Sequence, residues 1–152
     1  MSTGVRPPHL RWAAIGLVIL GGAGGAAGRE GVTLIIPDLG AVPVAILVVN
    51  LLGAFLLGFL YEALTRMDSA SLTGRNLKLL LGTGFCGGFT TYSALAAGIV
   101  TLLRDGLLFT ALMYAFGTVF LGACATWAGL AAGSVNGRGQ GRRHRTGQGA
   151  AS

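Results

Sequence analysis

Three polar side chains stand inside long apolar stretches: Asn50 in VVNLLGAFLLG, and Tyr114 and Thr118 in YAFGTVFLG. An amide in hydrocarbon must find a partner. Asn offers two N–H donors and no charge, which makes it a good neutral ligand for a small anion. It serves equally well as an interhelical hydrogen bond holding a bundle, and for Asn50 the two readings are evenly matched. Tyr114 and Thr118 are four apart and share a helix face. Taken singly, each reads as structural: a ring packed in a bundle, and a hydroxyl bonded to the carbonyl four residues earlier. Together with Asn50 they would build a ladder of neutral donors. The stretch GFCGGFTTYSA, Gly84 to Ala94, carries a different signal. Its paired glycines and paired threonines are poor choices for a helix interior. A break there would leave carbonyls and N–H groups at the membrane midplane, tolerated only where they are buried in protein or line a cavity. Carbonyls at such half-helix ends hold cations. A close-packing face, or a kink with no role, is the plainer explanation.

The elements that must position these residues are membrane spans. Of the 152 residues, 53% are hydrophobic and 11% charged, against about 25% charged in a soluble domain. Mean hydropathy is +0.71. A spanning helix needs about 20 predominantly apolar residues, and four runs qualify: Trp12–Gly28, Leu39–Tyr61, Leu79–Leu103 and Gly106–Gly133. The sequence therefore predicts an all-α membrane protein with four transmembrane helices, the third broken mid-membrane, as one channel-forming domain over 12–133. Residues 1–11 precede it, and 134–152 form a basic tail expected to be disordered. Pro37 is expected to break the chain between spans one and two, and Arg104-Asp105-Gly106 to turn tightly between spans three and four. Arg29 and Glu30 fall at the expected end of span one and read as an interfacial anchor. Cys86 and Cys124 read as small buried hydrophobes.

No span contains Asp, Glu, Lys, Arg or His. This disfavours a proton-coupled carrier or a small four-helix exporter, which keeps an ionisable group in the membrane. No nucleophile–base pair or metal cluster lies in the spans, so the chain is not read as an enzyme. Nine of the 11 basic residues (Arg6, Arg11, Arg66, Arg75, Lys78, Arg138, Arg142, Arg143 and Arg145) fall on the side of both termini. Arg29 and Arg104 fall on the other. The positive-inside rule then places both termini in the cytoplasm, in a multi-pass cell-membrane protein of one fixed orientation. The RGQGRRHR run of the tail reads as solvated beside an anionic membrane surface rather than as a nucleic-acid site.

The motifs GFCGGFTTYS, NLLGAFLLG and GGAGGAAGR resemble those of the CrcB/Fluc fluoride channel family in order and spacing, over about residues 14–130. The resemblance implies antiparallel dimers with two fluoride pathways, giving passive export of fluoride from the cytoplasm. It also implies a structural Na+ at the dimer centre, held here by the backbone carbonyls of Gly87 and Thr90. Asn50, Tyr92, Ser93, Leu95, Tyr114 and Thr118 would line the pathway, with Arg29 in the vestibule. Neutral amide and hydroxyl donors and the positive edges of aromatic rings suit a small, tightly hydrated anion.

The chain departs from the family pattern. TTYSAL stands where the family reads TTFSTF, so the two pathway phenylalanines become Tyr92 and Leu95, and a hydroxyl is lost at Ala94. Ala45-Ile46 replaces a Gly-Thr pair, and Glu30 an aromatic. These changes, with the charge bias, predict one half of a heterodimer whose partner is a paralogous subunit of opposite orientation and in which one pathway is degenerate. The alternatives are a non-conducting partner subunit and, further off, a small four-helix exporter. Membrane lipid and fluoride are the other expected partners.

Overall fold

The computed structural model describes residues 12–65 and 71–148, with side chains for 12–65 and 71–135. The N-terminal segment 1–11, Arg66 and the basic side chains of the tail lie outside those described. Helix α1 is Trp12–Ile35. It runs through Arg29 and Glu30, where the sequence predicts its end, because no breaker follows until Pro37 and the residue before a proline leaves the helical region. The chain reverses through Leu39–Val42, which exchange backbone hydrogen bonds of 3.1 Å in each direction. Gly40 takes φ +62° in this turn. Helix α2, Val44–Thr65, follows Pro43, a residue preorganised for a helix start.

The third span is composite. Helix α3, Leu72–Leu77, is capped by Ser71, whose Oγ accepts the Gly74 N–H at 3.1 Å. A π-helical segment, Lys78–Cys86, succeeds it, and helix α4, Gly87–Phe89, completes the first half. Thr90 and Thr91 are extended, with φ −77°, ψ 153° and φ −146°, ψ 113°. Helix α5, Tyr92–Arg104, resumes the span. The break expected in GFCGGFTTYSA is therefore present, and it falls at the threonine pair. Gly87 and Gly88 are helical.

Gly106 at φ +76° closes α5. Its N–H bonds the Leu103 carbonyl at 3.1 Å and the Leu107 N–H bonds that of Leu102 at 2.9 Å, the two bonds of a Schellman motif that only a left-handed residue allows without strain. Helix α6, Leu108–Gln148, follows. Its backbone is helical to Gln148, within the segment 134–152 that the sequence reads as a tail, and residues 149–152 lie outside those described. Among the described residues, four helical stretches are long and apolar enough to cross a membrane.

Two glycine seams set the packing. Along the first, α1 lies against the π segment and α4: a Cβ on Gly21 would overlap the Leu80 carbonyl, one on Gly25 that of Phe85, and one on Gly88 that of Gly22. Along the second, α2 lies against α6: a Cβ on Gly58 would overlap the Thr126 carbonyl, and one on Gly129 that of Phe55. Small residues let helix backbones approach closely where no hydrophobic force drives association. Leu95, Leu102, Ala111 and Tyr114 form a buried cluster where α5 meets α6. The outer surface shows large apolar side chains such as Phe109, Phe116, Phe120 and Trp127. Cys86 is buried, whereas Cys124 is exposed on α6.

Substituting Gly25→Ala should destabilise the fold by about 1–3 kcal/mol through overpacking. Gly16→Ala in the same helix, where a Cβ meets nothing within 4 Å, should be neutral or stabilising by about 0.5–1 kcal/mol. Thermal unfolding in detergent distinguishes the two.

Candidate functional site

The site is built around the break. Helix α4 stops at Phe89, and its last carbonyls lose the amides that would have served them. Two of those amides turn elsewhere. The Thr91 N–H bonds Asn50 Oδ1 at 2.9 Å. The Ala94 N–H bonds the Thr91 hydroxyl at 3.2 Å, which makes Thr91 the N-cap of α5. Asn50 also donates: its Nδ2 reaches the Thr91 carbonyl at 3.2 Å. One side-chain amide from α2 thus pairs with both backbone groups of one broken residue. Gly53, one turn on, clears the way, since a Cβ there would overlap Thr90 Cγ2. The structural reading of Asn50 is realised, and the other Nδ2 hydrogen is still available.

A groove of about 520 Å³ runs beside this junction. Asn50, Gly87, Thr90, Tyr92, Leu95 and Thr118 all line it. Six residues singled out in the sequence are thereby brought together from α2, the third span and α6. Tyr92 stands 83% exposed at its edge, whereas Leu95 is also part of the buried α5–α6 cluster. The remaining three lie elsewhere. Ser93 is exposed and shares a 3.1 Å hydroxyl contact with Thr91. Tyr114 belongs to the buried cluster, with its hydroxyl donated to the Pro43 carbonyl at 3.3 Å. Arg29 extends from α1 to within 3.5 Å of the Gly88 carbonyl, placing a cation at the negative end of the first half-helix.

The donor ladder takes a different form from the one the sequence suggests. Thr118 donates its hydroxyl to the Tyr114 carbonyl at 2.6 Å. Thr90 donates to Cys86 at 2.9 Å and Thr126 to Gly122 at 3.0 Å. Each of these groove-lining threonines therefore turns lone pairs, not protons, away from its own helix. A hydroxyl that swung round to an anion would give up a bond worth about 0.5–1.5 kcal/mol. The free Asn50 hydrogen and the first amides of α5 need no such exchange. Thr91 was not among the residues the sequence pointed to. Its place as the second threonine of the pair, directly before Tyr92 and three residues before Ala94, is a capping signal, hidden by the apolar run around it.

Asn50→Ala leaves the N–H and C=O of Thr91 without partners and should destabilise the protein by at least about 1–3 kcal/mol. Asn50→Asp keeps the acceptor for the Thr91 N–H and should fall between wild type and the alanine variant. Thr91→Val removes the cap of α5 and should cost about 0.5–2 kcal/mol. Denaturation midpoints of the three variants, taken in one detergent, check the order.

A family model described as CrcB-like protein, camphor resistance (CrcB), matches residues 16–130. The chain is 47% identical over 105 residues to a protein of Chlorobium phaeobacteroides strain BS1 named fluoride-specific ion channel FluC, covering 68% of this chain and 80% of that one. Its similarity to the protein of that name from Prosthecochloris aestuarii is 47% over 102 residues, covering 64% and 77% of the two chains. To that of Pyrococcus furiosus it is 39% over 102 residues, covering 67% and 80%. With four membrane-length helices, a third span broken at its threonine pair and a family match across all four, this chain belongs to the CrcB family.

Proposed function

We propose that this protein is a subunit of a fluoride channel that lets fluoride leave the cytoplasm passively. The observation that carries the proposal is the junction itself, where the broken third span faces a groove lined by neutral polar groups. The names of its relatives supply the ion. The physical chemistry agrees. A chloride-rejecting path for a small, strongly hydrated anion needs donors at close quarters without a fixed charge that would trap the ion. Asn50, anchored to Thr91 on one side, presents an N–H from a rigid support. The first turn of α5 adds the positive end of a helix dipole. Thr118 adds a hydroxyl rotor that exchanges its Tyr114 carbonyl for the ion as the ion passes.

The working unit is an antiparallel dimer with Na+ at its centre. The carbonyls of Gly87 and Thr90, hard oxygen donors at the end of the first half-helix, fit such a cation, and two copies of this pair would complete its shell. Gly87 is exposed, and a Cβ there would meet nothing within 4 Å, so there is room beside its carbonyl. When bound, the ion supplies positive charge that offsets carbonyl repulsion. Both termini face the cytoplasm, and the distribution of basic residues favours one orientation. The second protomer is therefore a family member of opposite orientation, with one of the two pathways degenerate. Tyr92 supports this: at the exposed edge of the groove it places a polar hydroxyl where the family has a phenyl ring.

Fluoride efflux from liposomes with a potassium shunt tests the function. The chain reconstituted with a partner of opposite charge bias should release fluoride and retain chloride, and the chain alone should be slow. Restoring both aromatics (Tyr92→Phe with Leu95→Phe) should raise the rate of the pair if the altered pathway is the silent one. Equal release of chloride, or release only with a proton gradient, overturns the channel reading. Fast fluoride release by the chain alone overturns the paired-subunit reading and leaves the channel in place.

A further inference from the structure

A second cavity, of about 280 Å³, opens between the C-terminal end of α2 and the start of the π segment. Its walls are Leu57, Leu60, Leu64 and Gly82, and its polar members are Tyr61, Thr65, Thr83 and Lys78. Its position along the chain is informative. Helix α2 ends at Thr65 and the π segment begins at Lys78, so the cavity lies where two spans leave the membrane. The Thr65 hydroxyl is turned to the Glu62 carbonyl at 2.8 Å. The free donors at the mouth are then the Lys78 ammonium and the phenol of Tyr61, which is 67% exposed. Arg75 stands three residues before Lys78, and its exposed side chain adds a second cation on that helix face.

An apolar slot lined by an ammonium and a phenol, with a second cation three residues away at Arg75, matches one ligand chemistry: a phosphate monoanion attached to hydrocarbon. The geometry points to a binding site for an acidic phospholipid, its phosphate held by Lys78, Arg75 and Tyr61 and the upper part of an acyl chain lodged against Leu57, Leu60 and Gly82. On the orientation proposed above, this end of the bundle faces the cytoplasmic leaflet, where anionic lipids attract basic residues and basic pockets between spans take up their headgroups. The site does not depend on the chain conducting ions. It does touch the larger groove, because Leu57, Gly82 and Thr83 line both. A bound acyl chain would therefore form part of the wall that keeps the groove apart from bulk lipid.

The test uses the full chain purified in detergent. Native mass spectrometry and thermal shift are read with phosphatidylglycerol, phosphatidylcholine, and glycerol phosphate without a tail. Phosphatidylglycerol should bind in preference to phosphatidylcholine and raise the unfolding temperature. Lys78→Gln and Arg75→Gln should each weaken it about fivefold, the equivalent of about 1 kcal/mol per basic residue, and Lys78→Arg should restore it. Gly82→Leu, at a position where a Cβ meets nothing within 4 Å, should fill the slot and abolish retention with both cations intact. Equal binding of the two lipids, unaffected by the Lys78 change, would mean ordinary surrounding lipid and would overturn the inference. So would tail-free glycerol phosphate binding as tightly as the lipid. Loss of self-association in Gly82→Leu, with lipid retention unchanged, would assign the slot to a second protomer instead.

Discussion

Hydrocarbon offers no partner to a backbone amide or carbonyl, and the architecture of this protein follows from how it meets that constraint at one place. The extended pair Thr90–Thr91 cuts the helical ladder in the third span. A water-soluble protein would hydrate such a cut. Here the Asn50 amide pairs with Thr91 at 2.9 and 3.2 Å, and the threonine hydroxyls deal with the neighbouring groups. Of the neighbouring residues, Gly87 and Thr90 line the groove on one face, whereas the Gly88 carbonyl lies near Arg29 of α1. The two half-helix ends give that face both signs: oxygens from the first half and amides from the second. Polar groups of both kinds thus meet at one junction without a charged residue in the groove wall.

The glycines act at a distance from this chemistry, yet the junction depends on them. α1 presses on the π segment through Gly21, Gly25 and Gly88, and α2 on α6 through Gly58 and Gly129. The two seams hold the outer helices close enough that Asn50 and Gly53 of α2 meet the broken strand directly. Wider spacing would move the side-chain amide out of hydrogen-bond range of Thr91. Close backbone packing and the polar junction are two parts of one arrangement. The adjacent glycines of GFCGGFTTYSA, which look like the cause of the break, serve packing and access instead: Gly88 meets Gly22, and Gly87 faces open space.

Much of this was legible in the residues. Uncharged apolar runs mark four spans, and a threonine pair in a glycine-rich motif marks the break. Asn50 stands out because an amide in an apolar run needs a partner. Three things were not legible. The length of α1 depends on Arg29 and Glu30 continuing a helix whose apolar run has ended, and the pattern alone places the boundary there. The hydroxyl of Thr90 could be located but not aimed, whereas Thr118 makes the bond to the carbonyl four residues earlier that its place in an intact helix suggests. The π segment leaves no periodic signature in a run where nearly every residue is apolar. Tyr114 is the ring packed in a bundle that the sequence suggests, but the pattern does not give the partner of its hydroxyl, the Pro43 carbonyl.

The π segment Lys78–Cys86 also sets a phase. In an α-helix each residue advances by about 100°, and a wider helix accumulates its rotation more slowly. The angular position of Gly87, Gly88 and Thr90 around the span is therefore fixed by how many residues the π segment holds, not only by which ones. Removing one residue from LLLGTGFC would preserve hydropathy and length enough to cross the membrane, yet it would turn Gly88 away from Gly22 and the threonine pair away from Asn50. For this span, chain length between Lys78 and Thr90 is a coordinate of the site, as specific as any side chain in it.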